Sequence, residues 1–197
     1  MAKKKSKRTP GKKVIRKSSV RKTAKKSGAA RPGNGAAEIA RAIELLEWTH
    51  TMTGKLCAGF DESHLLSQPS SSDNHLMWQI GHLATAYAWF GSMLDGRPAT
   101  LGEMYDKLFG YGSKPTSDAS MYPAQAEVRR IHDEQYQRVL RAARAMSDAD
   151  GLKPPAVDSG GFAKNRLDAL YKCVWHEGWH QGQISALRRA LGLPSVM

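Results

Sequence analysis

Two histidines near the C-terminal end of the chain, His176 and His180, have a spacing suited to binding one metal ion. Four residues apart on a helix, their side chains lie about one turn apart on the same face. Residues 165–191 carry apolar side chains at the helical period, and both imidazoles fall on the apolar stripe. Because burying an unpaired imidazole is costly, two at this spacing favour a metal site over simple packing.

The residue between them, Glu177, completes the literal pattern of a zinc protease, in which a carboxylate activates water beside two histidine ligands. That class needs a third ligand, usually downstream. No Asp or Glu follows Glu177, and Ala186 stands where the extended signature has histidine. The third ligand must therefore come from upstream, and a zinc protease is disfavoured.

A second Glu-x-x-His pair, Glu47 and His50, raises a di-iron centre as another interpretation. Such a centre also needs an inward-facing Glu on each of two other helices. The second predicted helix, residues 74–94, contains no Asp or Glu. The sequence therefore argues against a di-iron centre.

Four helices would position these side chains. Apolar residues recur at the helical period over residues 37–58, 74–94, 123–147 and 165–191. Asp and Gly at 148–151 are expected to break the third helix. The long connection 95–121, with one short helix around 101–109, either lets its neighbours run parallel or forms a wall over a site. With no run of alternating strand residues, the predicted fold class is all-α, a four-helix bundle.

The second helix brings two more histidines, His75 and His82, to its apolar face. A third histidine from this helix, together with His176 and His180, would make a three-histidine site. Such a site keeps coordination positions open for water or substrate, as reactive metal sites do.

Two separated motifs resemble the DinB-like family of metal-binding four-helix bundles. The matching residues are Trp78-Gln79-Ile80-Gly81-His82-Leu83 and His176-Glu177-Gly178-Trp179-His180-Gln181-Gly182-Gln183-Ile184, followed by Leu187-Arg188-Arg189-Ala190-Leu191-Gly192. The resemblance covers residues 38–194 and implies that His82, His176 and His180 are metal ligands. It implies a divalent cation, Zn²⁺ first, with Ni²⁺, Fe²⁺ and Mn²⁺ as alternatives.

The resemblance also implies an activity, because related proteins include transferases that use bacillithiol or mycothiol. We therefore expect a metal-dependent S-transferase that uses a low-molecular-weight thiol and a small electrophilic substrate, with a hydrolase less favoured. The metal would favour the ionised form of a bound thiol or water by lowering its pKa. Bundles of this family commonly pair, so a homodimer is a further prediction.

Glu177 flanks the face that carries the ligands, and we predict that it acts as a general base or hydrogen-bonds a ligand. An outward Glu that forms a salt bridge is the competing interpretation. His75, His50 and His132 are expected to be bundle residues rather than ligands, and Cys173 to pack in the core. Three tryptophans are also expected to pack rather than contact substrate: Trp78, Trp89 and Trp179.

Residues 1–35 differ from the rest in composition. They hold fourteen of the 30 Lys and Arg and no acid, so the other sixteen face all 18 Asp and Glu, a net charge of −2. We predict a disordered Lys/Arg-rich tail over residues 1–36 and the bundle over 37–197. The tail would bind DNA or RNA phosphates without reading sequence, although a solubilising extension explains it equally well.

No segment has the length and apolar character to cross a bilayer, and the N-terminal segment lacks the apolar core of a signal peptide. We expect a cytoplasmic protein without membrane contact, associated with the nucleoid if the tail binds DNA. Two cysteines, Cys57 and Cys173, do not make a disulfide framework. The alternative to an enzyme is a non-catalytic metal-binding protein of a stress or DNA-damage response, held on nucleic acid by its tail.

Overall fold

The computed structural model describes residues 35–71 and 73–196. Nearly all of the predicted tail therefore lies outside the described residues. Within them the chain forms six α-helices and no strand. The helices are α1 (Gly35–Cys57), α2 (Leu76–Asp95), α3 (Glu103–Phe109), α4 (Gln125–Arg144), α5 (Asp148–Leu152) and α6 (Arg166–Ala190). The all-α fold class is confirmed, and the four long helices begin and end within three residues of the predicted bounds.

The four long helices, α1, α2, α4 and α6, pack as a bundle. Helix α1 contacts α4 and α6, and α2 contacts the same two helices. No helix in the described part of the chain combines the length and hydropathy needed to cross a membrane. The short helix α5, where a break was predicted, forms because Ser147 and Asp150 cap its first turn reciprocally.

The apolar core has two parts. One contains Leu46, Tyr87, Phe90, Val139, Leu170 and Cys173. The other contains Leu56, Leu76, Ile80, Phe109, Val128 and Ile184. Polar side chains from all four long helices meet one another across the bundle, in hydrogen bonds and ring contacts. They form a polar layer made of Thr49, His50, Thr53, Gln79, His82, His132, His176, Glu177 and His180.

The connection between α2 and α4 folds back over α2. Its short helix α3 confirms the helix predicted around 101–109. The ring of Phe109, at the end of α3, is fully buried and lies directly on Gly81 of α2. Glycine permits this approach, since a Cβ at position 81 would overlap the Phe109 ring.

We expect Gly81→Ala to lower the free energy of unfolding by about 1–3 kcal/mol, because the added methyl group forces α3 away from α2. Urea denaturation followed by circular dichroism measures the change. Gly54→Ala is the matched control, since a Cβ on Gly54 of α1 meets no atom within 4 Å. That variant should be neutral or slightly stabilised. Equal stability of the two variants would contradict the close packing of Phe109 on α2.

Asp95, at the end of α2, makes a two-pronged ion pair with Arg138 of α4. The Asp95 oxygens accept from Arg138 Nε at 2.9 Å and from Nη2 at 2.8 Å. Burial alone would raise the pKa of Asp95, but the bonds from Arg138 and Arg97 outweigh it and hold the pKa well below its usual range. The pair therefore joins two helices through a charge that persists in mild acid.

This depressed pKa predicts how acid affects stability. The stabilisation by the Asp95 carboxylate is fully present above the pKa of an unfolded Asp, about 3.9, and is lost as the pH falls through the lower folded value. We expect the stability difference between wild type and Asp95→Asn to shrink progressively below about pH 4. Urea midpoints between pH 7 and pH 3 measure it, and a difference that stays constant over this range would contradict the assignment.

Candidate metal centre

Three histidines converge in the polar layer, His82 from α2 and His176 and His180 from α6. One ring nitrogen of each lies within 4.8 Å of the others. The ring centroid of His82 is 5.3 Å from that of His176 and 4.8 Å from that of His180. The centroids of His176 and His180 are 4.7 Å apart. Imidazole nitrogens bind Zn²⁺ at about 2.0–2.1 Å, so rings this close can share one cation.

Hydrogen bonds orient two of the three rings. His82 Nδ1 lies 2.8 Å from the Phe109 carbonyl oxygen, and His180 Nδ1 contacts Gln79 Oε1. Because both partners are acceptors, each Nδ1 carries the proton and leaves the Nε2 lone pair free. Histidines that bind metals ordinarily donate their second N–H to such an oxygen. The arrangement therefore fits a metal-binding group.

Gln79 is held in turn by its neighbour on α6. Its side chain is buried, and its Nε2 donates to Gln183 Oε1 at 2.9 Å. This bond assigns the Gln79 oxygen to His180. No role for Gln79 was predicted from the sequence, although it stands three residues before His82, a spacing that puts both side chains on one helix face.

Electrostatics keeps the three rings neutral. Burial lowers the pKa of His82. Burial and the neighbouring imidazole lower the pKa of His176 to about 4, and burial with both neighbours lowers that of His180 to about 3. Neutral imidazole is the form that binds a metal. The three lone pairs are therefore available at neutral pH.

The histidines line a cavity of about 810 Å³. The connection 95–121 contributes residues 99, 100, 106 and 110–113 to the wall of this cavity. It therefore forms a wall over the candidate site, which was one of its two predicted roles. Most of the other lining side chains are aromatic: Trp78, Trp89, Phe90, Phe162, Trp175 and Trp179. Trp78 stacks on His82 with ring centroids 4.6 Å apart, so this tryptophan supports a site residue as well as the bundle.

Glu177 faces away from this cavity. Its buried carboxylate accepts hydrogen bonds from Thr53 Oγ1, at 2.7 Å, and from the Tyr87 hydroxyl. The competing interpretation, an outward Glu in a salt bridge, is wrong because α1 and α2 cover the side chain. The predicted role as general base or partner of a ligand stays a prediction, and the cavity lining does not include this carboxylate.

The remaining histidines lie apart from the three. His75 caps the N-terminus of α2, where its Nδ1 accepts from the Trp78 amide and its Nε2 contacts the Thr116 carbonyl. His50 and His132 lie beside Glu177 instead. Cys173 is buried in the apolar core, as predicted.

The chain is similar to a known protein family over most of its length. A family model described as the DinB superfamily matches residues 45–184, which include all three histidines. The chain belongs to this superfamily. No curated protein sequence matches the chain significantly. The DinB assignment confirms the resemblance drawn from the two motifs, and the convergent histidines give this DinB protein a group of side chains that could hold a metal.

In this DinB protein we expect Gln79→Leu to weaken Zn²⁺ binding by about 10–100-fold, because His180 loses the acceptor that fixes its ring. Competition with a chromophoric chelator measures the affinity. Gln79→Glu keeps an acceptor oxygen and should retain most of it. Gln137→Leu, at an exposed position of α4, is the matched control. An unchanged affinity in Gln79→Leu would contradict the positioning role.

Proposed function

We propose that this DinB protein is a metal-dependent thiol S-transferase, which joins a low-molecular-weight thiol to a small electrophile. The observation that carries the proposal is the convergence of three neutral imidazoles on the wall of an 810 Å³ cavity. A cavity of this size accommodates a small ligand and its partner together. In the reaction, the thiol sulfur forms a bond to the electrophilic carbon, the leaving group departs with its electron pair, and the thiol proton goes to solvent.

His82, His176 and His180 would hold the cation, Zn²⁺ first, with Ni²⁺, Fe²⁺ and Mn²⁺ as alternatives. When bound, a divalent cation supplies Lewis-acid chemistry that lowers the pKa of a thiol. Groups of the protein itself position the ligands and bind the substrate. Gln79 and the Phe109 carbonyl fix the imidazoles, and the aromatic wall binds the apolar part of an electrophile and excludes water.

The scarcity of carboxylates in the cavity lining favours thiol transfer over hydrolysis. Among the described residues that line the cavity, Asp106 alone carries a carboxylate, and its Oδ2 accepts from Thr100 Oγ1 at 3.3 Å. Glu177, the predicted general base, bonds to Thr53 and Tyr87 outside the cavity. A general base assists the attack of water even at a metal, whereas a thiol is more acidic than water and is intrinsically nucleophilic.

Turnover of a fluorogenic electrophile tests the proposal. The full-length protein, loaded separately with each of the four cations, is mixed with monochlorobimane and one thiol at a time: bacillithiol, mycothiol, glutathione or cysteine. We expect formation of the fluorescent thioether above the uncatalysed rate with at least one thiol, and its loss in His82→Ala. Protein that binds the metal stoichiometrically but accelerates none of these reactions would contradict transferase activity with this electrophile class.

A second candidate function follows from the charge of residues 1–35. Fourteen Lys and Arg without a single acid favour binding to nucleic-acid phosphates, and the protein would then be a non-catalytic metal-binding component of a stress response. Deleting residues 1–35 should abolish binding to a short DNA duplex, and raising the salt concentration should weaken binding of the intact chain steeply. Binding that survives the deletion would contradict the assignment to the tail.

A further inference from the structure

A second group of ligating side chains lies on a different face of α6. It consists of His50 from α1, His132 from α4 and Glu177 from α6, and one ligand atom of each lies within 4.8 Å of the others. None of the three lines the 810 Å³ cavity. The group is therefore separate from the three-histidine centre, although Glu177 directly follows His176 in the chain.

Two nitrogens of this group are buried without a hydrogen-bond partner, His50 Nδ1 and His132 Nε2. The opposite nitrogens face Asp133, with its Oδ1 3.6 Å from His50 Nε2 and 3.4 Å from His132 Nδ1. A buried ring nitrogen without a partner is costly. His132 is 6% exposed, so water does not readily compensate.

The distance between His50 and Glu177 suits two ligands of one ion better than a hydrogen bond. His50 Nδ1 lies 3.8 Å from Glu177 Oε1, beyond hydrogen-bond range. Two ligands about 2.0–2.1 Å from a tetrahedral cation are roughly 3.4 Å apart. Small side-chain movements would bring both atoms to one ion.

The surroundings of the Glu177 carboxylate also favour a cation at this position. The Glu177 carboxylate is 1% exposed, and within the described ranges no Lys or Arg forms an ion pair with it. Hydrogen bonds from Thr53 and Tyr87 orient its two oxygens. A cation bound between the carboxylate and the two ring nitrogens would give each of the three groups a partner.

We propose that His50, His132 and Glu177 form a second divalent-cation site. Two imidazoles and one carboxylate are the donors of open zinc sites, and this set also suits Co²⁺ and other transition ions. A small cavity of about 180 Å³ adjoins the group, and its lining includes Arg129 and Cys57. The cavity leaves room for water or a small anion at a fourth coordination position.

Titration of the full-length protein with Co²⁺ alone, followed by its visible absorption and by elemental analysis, counts the sites. We expect two equivalents in the wild type and in His64→Gln, a matched control in the loop after α1. His82→Ala and His132→Gln should each bind one equivalent, and the double variant none. His50→Gln, at a less buried position, should also bind one equivalent and serves if His132→Gln does not fold.

Each stoichiometry bears on one site. A wild type that binds one equivalent, lost in His82→Ala and kept in His132→Gln, would overturn the second site and leave the three-histidine centre intact. Two equivalents in both His132→Gln and His50→Gln would overturn it as well. One equivalent in the wild type that is lost in His132→Gln and kept in His82→Ala would support the second site and count against the three-histidine centre.

Discussion

Replacing His180 with alanine is expected to abolish metal binding at the three-histidine centre, with an affinity loss well above 100-fold. The ring of His180 is buried, held by Gln79, and adjacent to both His82 and His176. Removing only a residue that orients a ligand costs about 10–100-fold, so removing a ligand costs more. The apparent affinity for Zn²⁺, measured by chelator competition, gives the loss directly.

Thermal unfolding gives an independent readout of the same variant. Zn²⁺ bound at the three-histidine centre, at 100 times its dissociation constant there, stabilises the folded wild type by about 2.7 kcal/mol, and His180→Ala should lack this contribution. His64→Ala, which changes a histidine of the loop after α1, should retain it. Circular dichroism shows whether His180→Ala is folded. If the folded variant is still stabilised by Zn²⁺ as much as the wild type, His180 is not a ligand.

Arg138→Met is expected to cause the largest loss of stability, about 3–5 kcal/mol, because it leaves the Asp95 carboxylate without its main partner. Arg138 also donates from Nη1 to the Pro98 carbonyl at 3.0 Å and from Nη2 to the Arg97 carbonyl at 2.9 Å. The substitution therefore releases the start of the connection 95–121 as well. For a domain of this size, Tm should fall by roughly 6–20 °C.

Two variants test whether the loss arises from the buried pair. Arg130→Met removes an exposed ion pair with Glu134 on the same helix and should cost less than about 1 kcal/mol. Asp95→Leu combined with Arg138→Met removes both charges and should recover part of the stability lost in Arg138→Met. A Tm for Arg138→Met equal to that of Arg130→Met would contradict a stabilising role for the pair.

The sequence predicted the three-histidine centre because its geometry is mostly local. The spacing of His176 and His180 fixes their relative position on one helix, and the periodicity of α2 places His82 on an apolar face. The choice of His82 over His75 came from the family resemblance. The structure supplies a physical reason, since His75 is the N-cap of α2 and its Nδ1 accepts a hydrogen bond from the Trp78 amide.

The surroundings of Glu177 could not be predicted in the same way. Helical periodicity shows that its side chain points roughly 100° away from that of His176, but not which helix covers that direction. The answer depends on the order of helices around the bundle, which brings Thr53 of α1 and Tyr87 of α2 to the carboxylate. The cluster with His50 and His132 draws on three helices and escaped prediction for the same reason.

The polar layer also fixes how the helices align along the bundle axis. A slide of α6 by one turn, about 5.4 Å, would set Glu177 against apolar side chains and leave the hydroxyls of Thr53 and Tyr87 without their acceptor. Purely apolar helices would offer several staggered alignments of similar energy. The residues of the polar layer therefore also select one alignment of the helices from the several that hydrophobic packing alone would permit.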